Sequence, residues 1–158
     1  MKKIIIVIMC MTLVGCAGNV GNEQIEEYNS FVREATSLKE ETSSIPFDIN
    51  VYYEQLVDEI VYRIIIDNPK EQIMNIKAVA THNYETEDIY PSVGIFEENL
   101  HLDPNKVDLE KNYVKGIILT GYIDYDGDLD NFDVEIKLLI EYNNTAGKNR
   151  KVYYKYQK

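Results

Sequence analysis

Six carboxylates fall between Asp124 and Glu135, and four of them (Asp124, Asp126, Asp128, Asp130) alternate with other residues. Alternating carboxylates crowd several hard oxygens together, which is the donor set a calcium ion takes. Counted from Asp124, the residues Asp126, Asp128 and Glu135 occupy the third, fifth and twelfth places of the helix-flanked calcium loop. Its sixth place must be Gly for a sharp turn, and here it is Leu129; no helical pattern flanks the run, so that loop is excluded. Two readings stay open. Asp124, Asp126, Asp128 and Asp130 form a different calcium loop, or the run is an acidic hairpin connection turning at Asp126-Gly127.

The other reactive side chains are sparse. His82 with Glu85, Glu87 and Asp88 can be drawn as a metal site, but the spacing matches no zinc pattern and reads as a solvated loop. His101, between Leu100 and Leu102, reads as a loop residue without a partner. Ser92 lies in Pro-Ser-Val-Gly, which is not a nucleophile elbow. No Gly-rich phosphate cradle occurs. These residues point to no cofactor and no catalytic group; an enzyme would have to be a hydrolase built on carboxylates that folding brings together. Thirteen tyrosines stand against no Trp. Tyr125, Tyr153, Tyr154 and Tyr156, with Tyr122 and Tyr142, are expected on neighbouring strands, where rings pack while hydroxyls stay wet. An exposed tyrosine face would instead be a binding surface for a protein or glycan.

One cysteine has a clearer meaning. Met1-Lys2-Lys3 is a short positive start, and residues 4–14 are apolar except for one Thr. That run is too short to span a bilayer, which takes ~20 residues, and has the length and flanks of a signal peptide core. It ends in Leu13-Val14-Gly15-Cys16, which resembles the bacterial lipoprotein signature at all four positions. The resemblance implies cleavage after Gly15 and a diacylglyceryl group on the Cys16 thiol. Two acyl chains hold a protein stably, whereas one is marginal. The expected address is the cell membrane, lipid-anchored, on its extracytoplasmic face.

Removing the first 15 of 158 residues leaves 143, one domain's worth of chain, and loss of Lys2 and Lys3 takes the formal charge from −11 to −13. Such a chain is repelled by nucleic-acid phosphates and by anionic headgroups. Cys10 leaves with the signal and Cys16 is consumed by lipid, so no disulfide is available and the core must hold the domain.

Residues 17–22 read as a flexible lead. Ile25, Tyr28, Val32 and Ala35 recur at helical spacing, so a helix is expected over 23–41 with Asn22 as its cap, either a spacer or a docked element. The expected tether is residues 16–45. From residue 46 to 158 the period falls towards two. Strands are expected at 47–53, 60–67, 73–81, 91–96, 113–125, 134–142 and 151–156, with a turn at Asp67-Asn68-Pro69. About seven strands without βαβ alternation make an antiparallel sandwich. The strand ending in Asp67-Asn68-Pro69, then Leu102-x-Pro104, the strand with Gly116 and Gly121, and Leu138-x-Ile140-x-Tyr142 resemble immunoglobulin-like domains of bacterial lipoproteins. The likeness implies a non-catalytic binding or accessory module for an envelope or surface protein, of envelope-assembly or surface-exclusion type. A calcium-stabilised structural domain is the third expectation.

Overall fold

The computed structural model describes residues 21–158. The signal segment 1–15 and the lipidation site Cys16 lie outside the described residues. Among the described residues nine strands follow one α-helix: α1 (Asn22–Thr36), β1 (Asp48–Gln55), β2 (Glu59–Asp67), β3 (Ile73–His82), β4 (Ser92–Val93), β5 (Leu100–Leu102), β6 (Tyr113–Val114), β7 (Gly116–Asp124), β8 (Glu135–Asn143) and β9 (Asn149–Gln157). The protein is mainly β, with two open sheets. The smaller has the order β1-β2-β7; the larger runs β6-β5-β3-β8-β9, with β4 also pairing β3. Every pairing between strands is antiparallel except β5 with β6.

Alternation makes the core between the sheets. In β2, Ile60, Tyr62, Ile64 and Ile66 face inward and are buried, and so are Ile117, Leu119 and Ile123 of β7. Across from them stand Ala78 and Ala80 of β3 and Ile136, Leu138 and Ile140 of β8. Burying these aliphatic side chains contributes about 1.5–3 kcal/mol each, which offsets the cost of ordering the chain in a domain with no cross-link.

The outer face of the larger sheet is also covered. Phe31 and Ala35, one helical turn apart, bury against Val79, Ile95 and Leu139. This accounts for the break in β8's alternation at Leu138-Leu139-Ile140, whose middle is buried on both sides. Of the two roles the sequence leaves open for the helix, docking is the one observed. Polar contacts ring the apolar stripe: Glu34 accepts from Lys151 Nζ at 2.7 Å and from the Tyr153 hydroxyl at 2.6 Å, and Glu27 pairs with Lys77. The Lys151 ammonium and then the Tyr153 hydroxyl hold the Glu34 carboxyl below its usual value.

Four expectations are corrected. The helix ends at Thr36 rather than at 41, because the chain is drawn along the free edge of β9. There the Thr42 N–H donates to the Tyr153 carbonyl, the Tyr153 N–H to Thr42 Oγ1, and the Lys155 N–H to Glu41 Oε1, each at 2.9 Å. The cap position is Gly21, whose N–H donates to Gln24 Oε1 at 3.1 Å, and Gln24 Nε2 donates to the Ile95 carbonyl at 3.2 Å, so α1 is packed on the body from its first turn onward. The strand expected over 113–125 is two strands in different sheets, parting at Lys115, where Gly116 lets β7 approach the Ile66 carbonyl and Asp67. His101 is not in a loop but in β5. Its Nδ1 accepts from the Asn75 N–H at 3.0 Å, at a bulge where Asn75 has φ 53°. A three-residue strand has no period to detect.

Candidate functional site

One end of the sandwich gathers several aromatic and acidic residues. The ends of β3 and β7 and the starts of β2 and β8 meet there, joined by the connections 83–91 and 125–134. Phe132 is the hub: its ring centroid lies 5.0 Å from Tyr125, 5.4 Å from Tyr84 and 5.7 Å from Tyr53. Such tilted and edge contacts suit the aromatic quadrupole and plug the end of the core. Outside the plug, Asp126, Asp128, Asp130 and Asp133 on one connection and Glu85, Glu87 and Asp88 on the other are exposed. Lys158 reaches in from the chain end and donates to the Leu129 carbonyl.

Beside the plug lies a hollow of about 400 Å³, between β7 and the 83–91 connection. Its floor is Tyr62, and its walls include His82, Tyr90, Pro91 and Tyr122. Tyr62 points inward from β2 and is wholly buried. Its ring tip crosses to β7 and lies over Gly121, its register partner. A Cβ at residue 121 would stand 2.3 Å from the Tyr62 hydroxyl oxygen, so only glycine leaves the ring this path. The His82 ring sits edge-on to Tyr62 at 5.7 Å and to Tyr90 at 5.1 Å.

Two buried polar atoms of residues beside this hollow have no hydrogen-bond partner among the described residues: the Tyr62 hydroxyl and His82 Nδ1. Buried polar groups are nearly always paired, so each orphan calls for an explanation. Burial pushes the Tyr62 hydroxyl well above its usual range. Burial holds the His82 imidazole below its ordinary value, against a smaller opposing contribution from the Tyr84 backbone. The imidazole is therefore neutral near pH 7. A second, more open groove shares Thr86 and Tyr90 with the hollow and adds Glu85, Glu87 and Asp124.

The residues singled out from sequence are placed as follows. Asp124 ends β7, and Asp126, Asp128 and Asp130 line the outside of the connection; among the described residues no three His, Cys, Asp or Glu side chains are grouped so that they can hold a metal. Tyr125 curls over its own loop, donating to the Asp128 carbonyl at 3.1 Å. Tyr154 and Tyr156 pack on the core between the sheets, and Tyr153 turns outward to Glu34 under α1. None of these three presents a free aromatic face; the tyrosines that do are Tyr52 and Tyr122 on the smaller sheet. His82 and Asp88 both border the hollow, and Glu85, Glu87 and Asp88 are exposed; among the described residues the 82–88 cluster is not grouped so that it can hold a metal. Ser92 lies in the short strand β4. Tyr62 and Tyr90 were not singled out; the one signal that pointed towards Tyr62 was Gly121 inside a strand.

No known protein family matches the chain. A comparison with curated proteins finds no relative. Among the described residues no helix is long and apolar enough to cross a membrane.

Proposed function

We propose that this protein is a lipid-tethered, non-catalytic binding module on the extracytoplasmic face of a cell membrane, on an immunoglobulin-like frame. The frame is supported by strand order: β1-β2-β7 opposite β3-β8-β9 corresponds to the A-B-E and C-F-G arrangement of that fold. The address is supported by Leu13-Val14-Gly15-Cys16. The observation that carries the binding role is the acid-rimmed hollow walled by His82, Tyr90 and Tyr122. The N-terminal half of α1 packs beside Ile95 and Lys77 while its last residue, Thr36, meets Lys137 at the hollow's end of the larger sheet, so the recognition end lies away from the end of α1 that leads to the lipid.

A photo-crosslinking side chain at Ile89, an exposed residue on the rim of the hollow, tests the reading in intact cells. The expected result is one discrete adduct from Ile89, none from the exposed Leu109 outside this hollow, and loss of the adduct in Cys16→Ala. Mass spectrometry of the extracted protein is expected to find residues 1–15 removed and a diacylglyceryl group on Cys16. An unmodified thiol, or equal adducts from both positions, refutes the proposal.

A further inference from the structure

We infer that β7 is a pairing edge for a second copy of this chain: two β7 strands run antiparallel about Thr120 and join the two three-stranded sheets into one. The inference goes beyond the binding role of the hollow and stands without it.

Among the described residues β7 lies at one side of the smaller sheet and pairs with β2 alone. The Tyr125 N–H donates to the Asp58 carbonyl at 3.1 Å, which extends the β2–β7 register by one pair and fixes its phase. By the alternation of an antiparallel ladder, Ile117, Leu119, Gly121 and Ile123 bond β2. The backbone groups of Gly116, Ile118, Thr120, Tyr122 and Asp124 therefore point to the open side, where no other backbone group among the described residues bonds them. The 83–91 connection stands off from Thr120, Gly121 and Tyr122 across the hollow and does not cap them. Such a row of free donors and acceptors is a template for another strand. The other edges are blunted: Glu41 and Thr42 bond β9, β4 and β5 cover β3, β6 is two residues long, and β1 carries Asp48 and Glu54. From Gly116 to Ile123, β7 has no charge and no proline, and its outward-facing Ile118 and Tyr122 are exposed.

What fits this edge is its own sequence. With Thr120 on the two-fold, Ile118 of each copy stands opposite Tyr122 of the other, and Thr120 opposite Thr120; aromatic–β-branched and Thr–Thr pairs are favourable across strands. Asp124 falls opposite Gly116, beside the exposed Lys115 of the second copy, so opposite charges meet at both ends of the pairing. All the outward backbone positions of β7 are matched, giving about ten hydrogen bonds. A shift of two residues leaves one outward position on each strand unmatched. The two-fold runs perpendicular to the sheet, so α1, which covers the outer face of the larger sheet, looks the same way in both copies. Both chains can then reach one bilayer.

Sedimentation of the full chain in detergent should show a monomer–dimer equilibrium that moves with concentration up to about 1 mM. Thr120→Lys and Thr120→Glu each set like charges face to face on the two-fold and should abolish the dimer, while an equimolar mixture of the two should restore it. Thr120 is exposed on the sheet face, so neither change disturbs the core. In intact cells under mild oxidant, Thr120→Cys should give a disulfide-linked dimer, since facing residues of a hydrogen-bonded pair have Cα atoms about 5.5 Å apart, within disulfide reach. Tyr52→Cys, exposed on the far strand β1, should give none. A chain that stays monomeric up to about 1 mM, a dimer that survives in Thr120→Lys, a mixture that stays monomeric, or an equal disulfide band from Tyr52→Cys overturns the inference.

Discussion

Tyr62 and Gly121 face each other across β2 and β7, and the tyrosine ring occupies the space that any side chain at residue 121 would need. This pairing leaves a fully buried hydroxyl without a hydrogen-bond partner among the described residues, next to the residues that line the hollow. It ties a backbone requirement to the chemistry of the candidate site.

Gly121→Ala should therefore destabilise the protein by about 1–3 kcal/mol, as overpacked cores do, read as a lower urea midpoint. Both the Cζ and the hydroxyl of Tyr62 crowd the new methyl, so Tyr62→Phe relieves only part of the clash. Tyr62→Leu with Gly121→Ala should recover more stability than the sum of the single changes allows, a coupling that only neighbouring residues show.

Phe31→Ala should cost about 3 kcal/mol, since it removes the largest buried side chain of α1 and leaves Val79 and Leu139 under-covered. Limited proteolysis should then cut within Asn22–Thr36 well before the strands. Glu34→Gln should cost less than about 1 kcal/mol, because its bonds to Lys151 and Tyr153 lie at the surface.

Stability should fall in two separate windows on acidification. His82 and His101 are both held below their ordinary value, each mainly by burial. Their contribution is complete above the unfolded histidine value of about 6.5 and declines as the pH drops below it, where the unfolded chain binds the extra protons. Protonating His101 Nδ1 also abolishes its acceptance of the Asn75 N–H. Glu34, Asp48 and Glu135 are held low by their hydrogen-bonded partners, first among them Lys151, Asn68 and Lys155. Their contribution is present above about 4.3 and is lost as the pH falls through their folded values. Unfolding midpoints between pH 8 and 3 should show both steps, and His101→Gln, which keeps an acceptor for Asn75, should reduce the upper one.

Calcium should leave the melting temperature unchanged relative to a chelator. Asp124, Asp126, Asp128 and Asp130 are not gathered around one point, and a ligand stabilises only a fold that binds it. A calcium-dependent rise of several degrees would mean that the 125–134 connection rearranges around the ion.

Residue types alone were enough for what repeats locally. The runs at Ile60–Asp67 and Val134–Tyr142 alternate, so both their strand character and their inward faces could be read without a fold, and Ile25, Tyr28, Val32 and Ala35 marked a helix in the same way; Ile73–Thr81 was legible as a strand, but the bulge at Asn75 buries Ile73 instead of Met74. The Leu13-Val14-Gly15-Cys16 quartet is equally local, and it alone carries the expectation of lipid. Tertiary structure decided what depends on residues distant along the chain. Leu139 is buried because α1 lies over it, the helix stops at Thr36 because β9 offers an unpaired edge, and His101 joins a strand because Asn75 bulges towards it. The hollow belongs to the same class: Tyr62, His82, Tyr90 and Tyr122 come from four separate stretches. Periodicity tells which way a side chain points within its own strand, but not which strand lies beside it, and sites are made between neighbours.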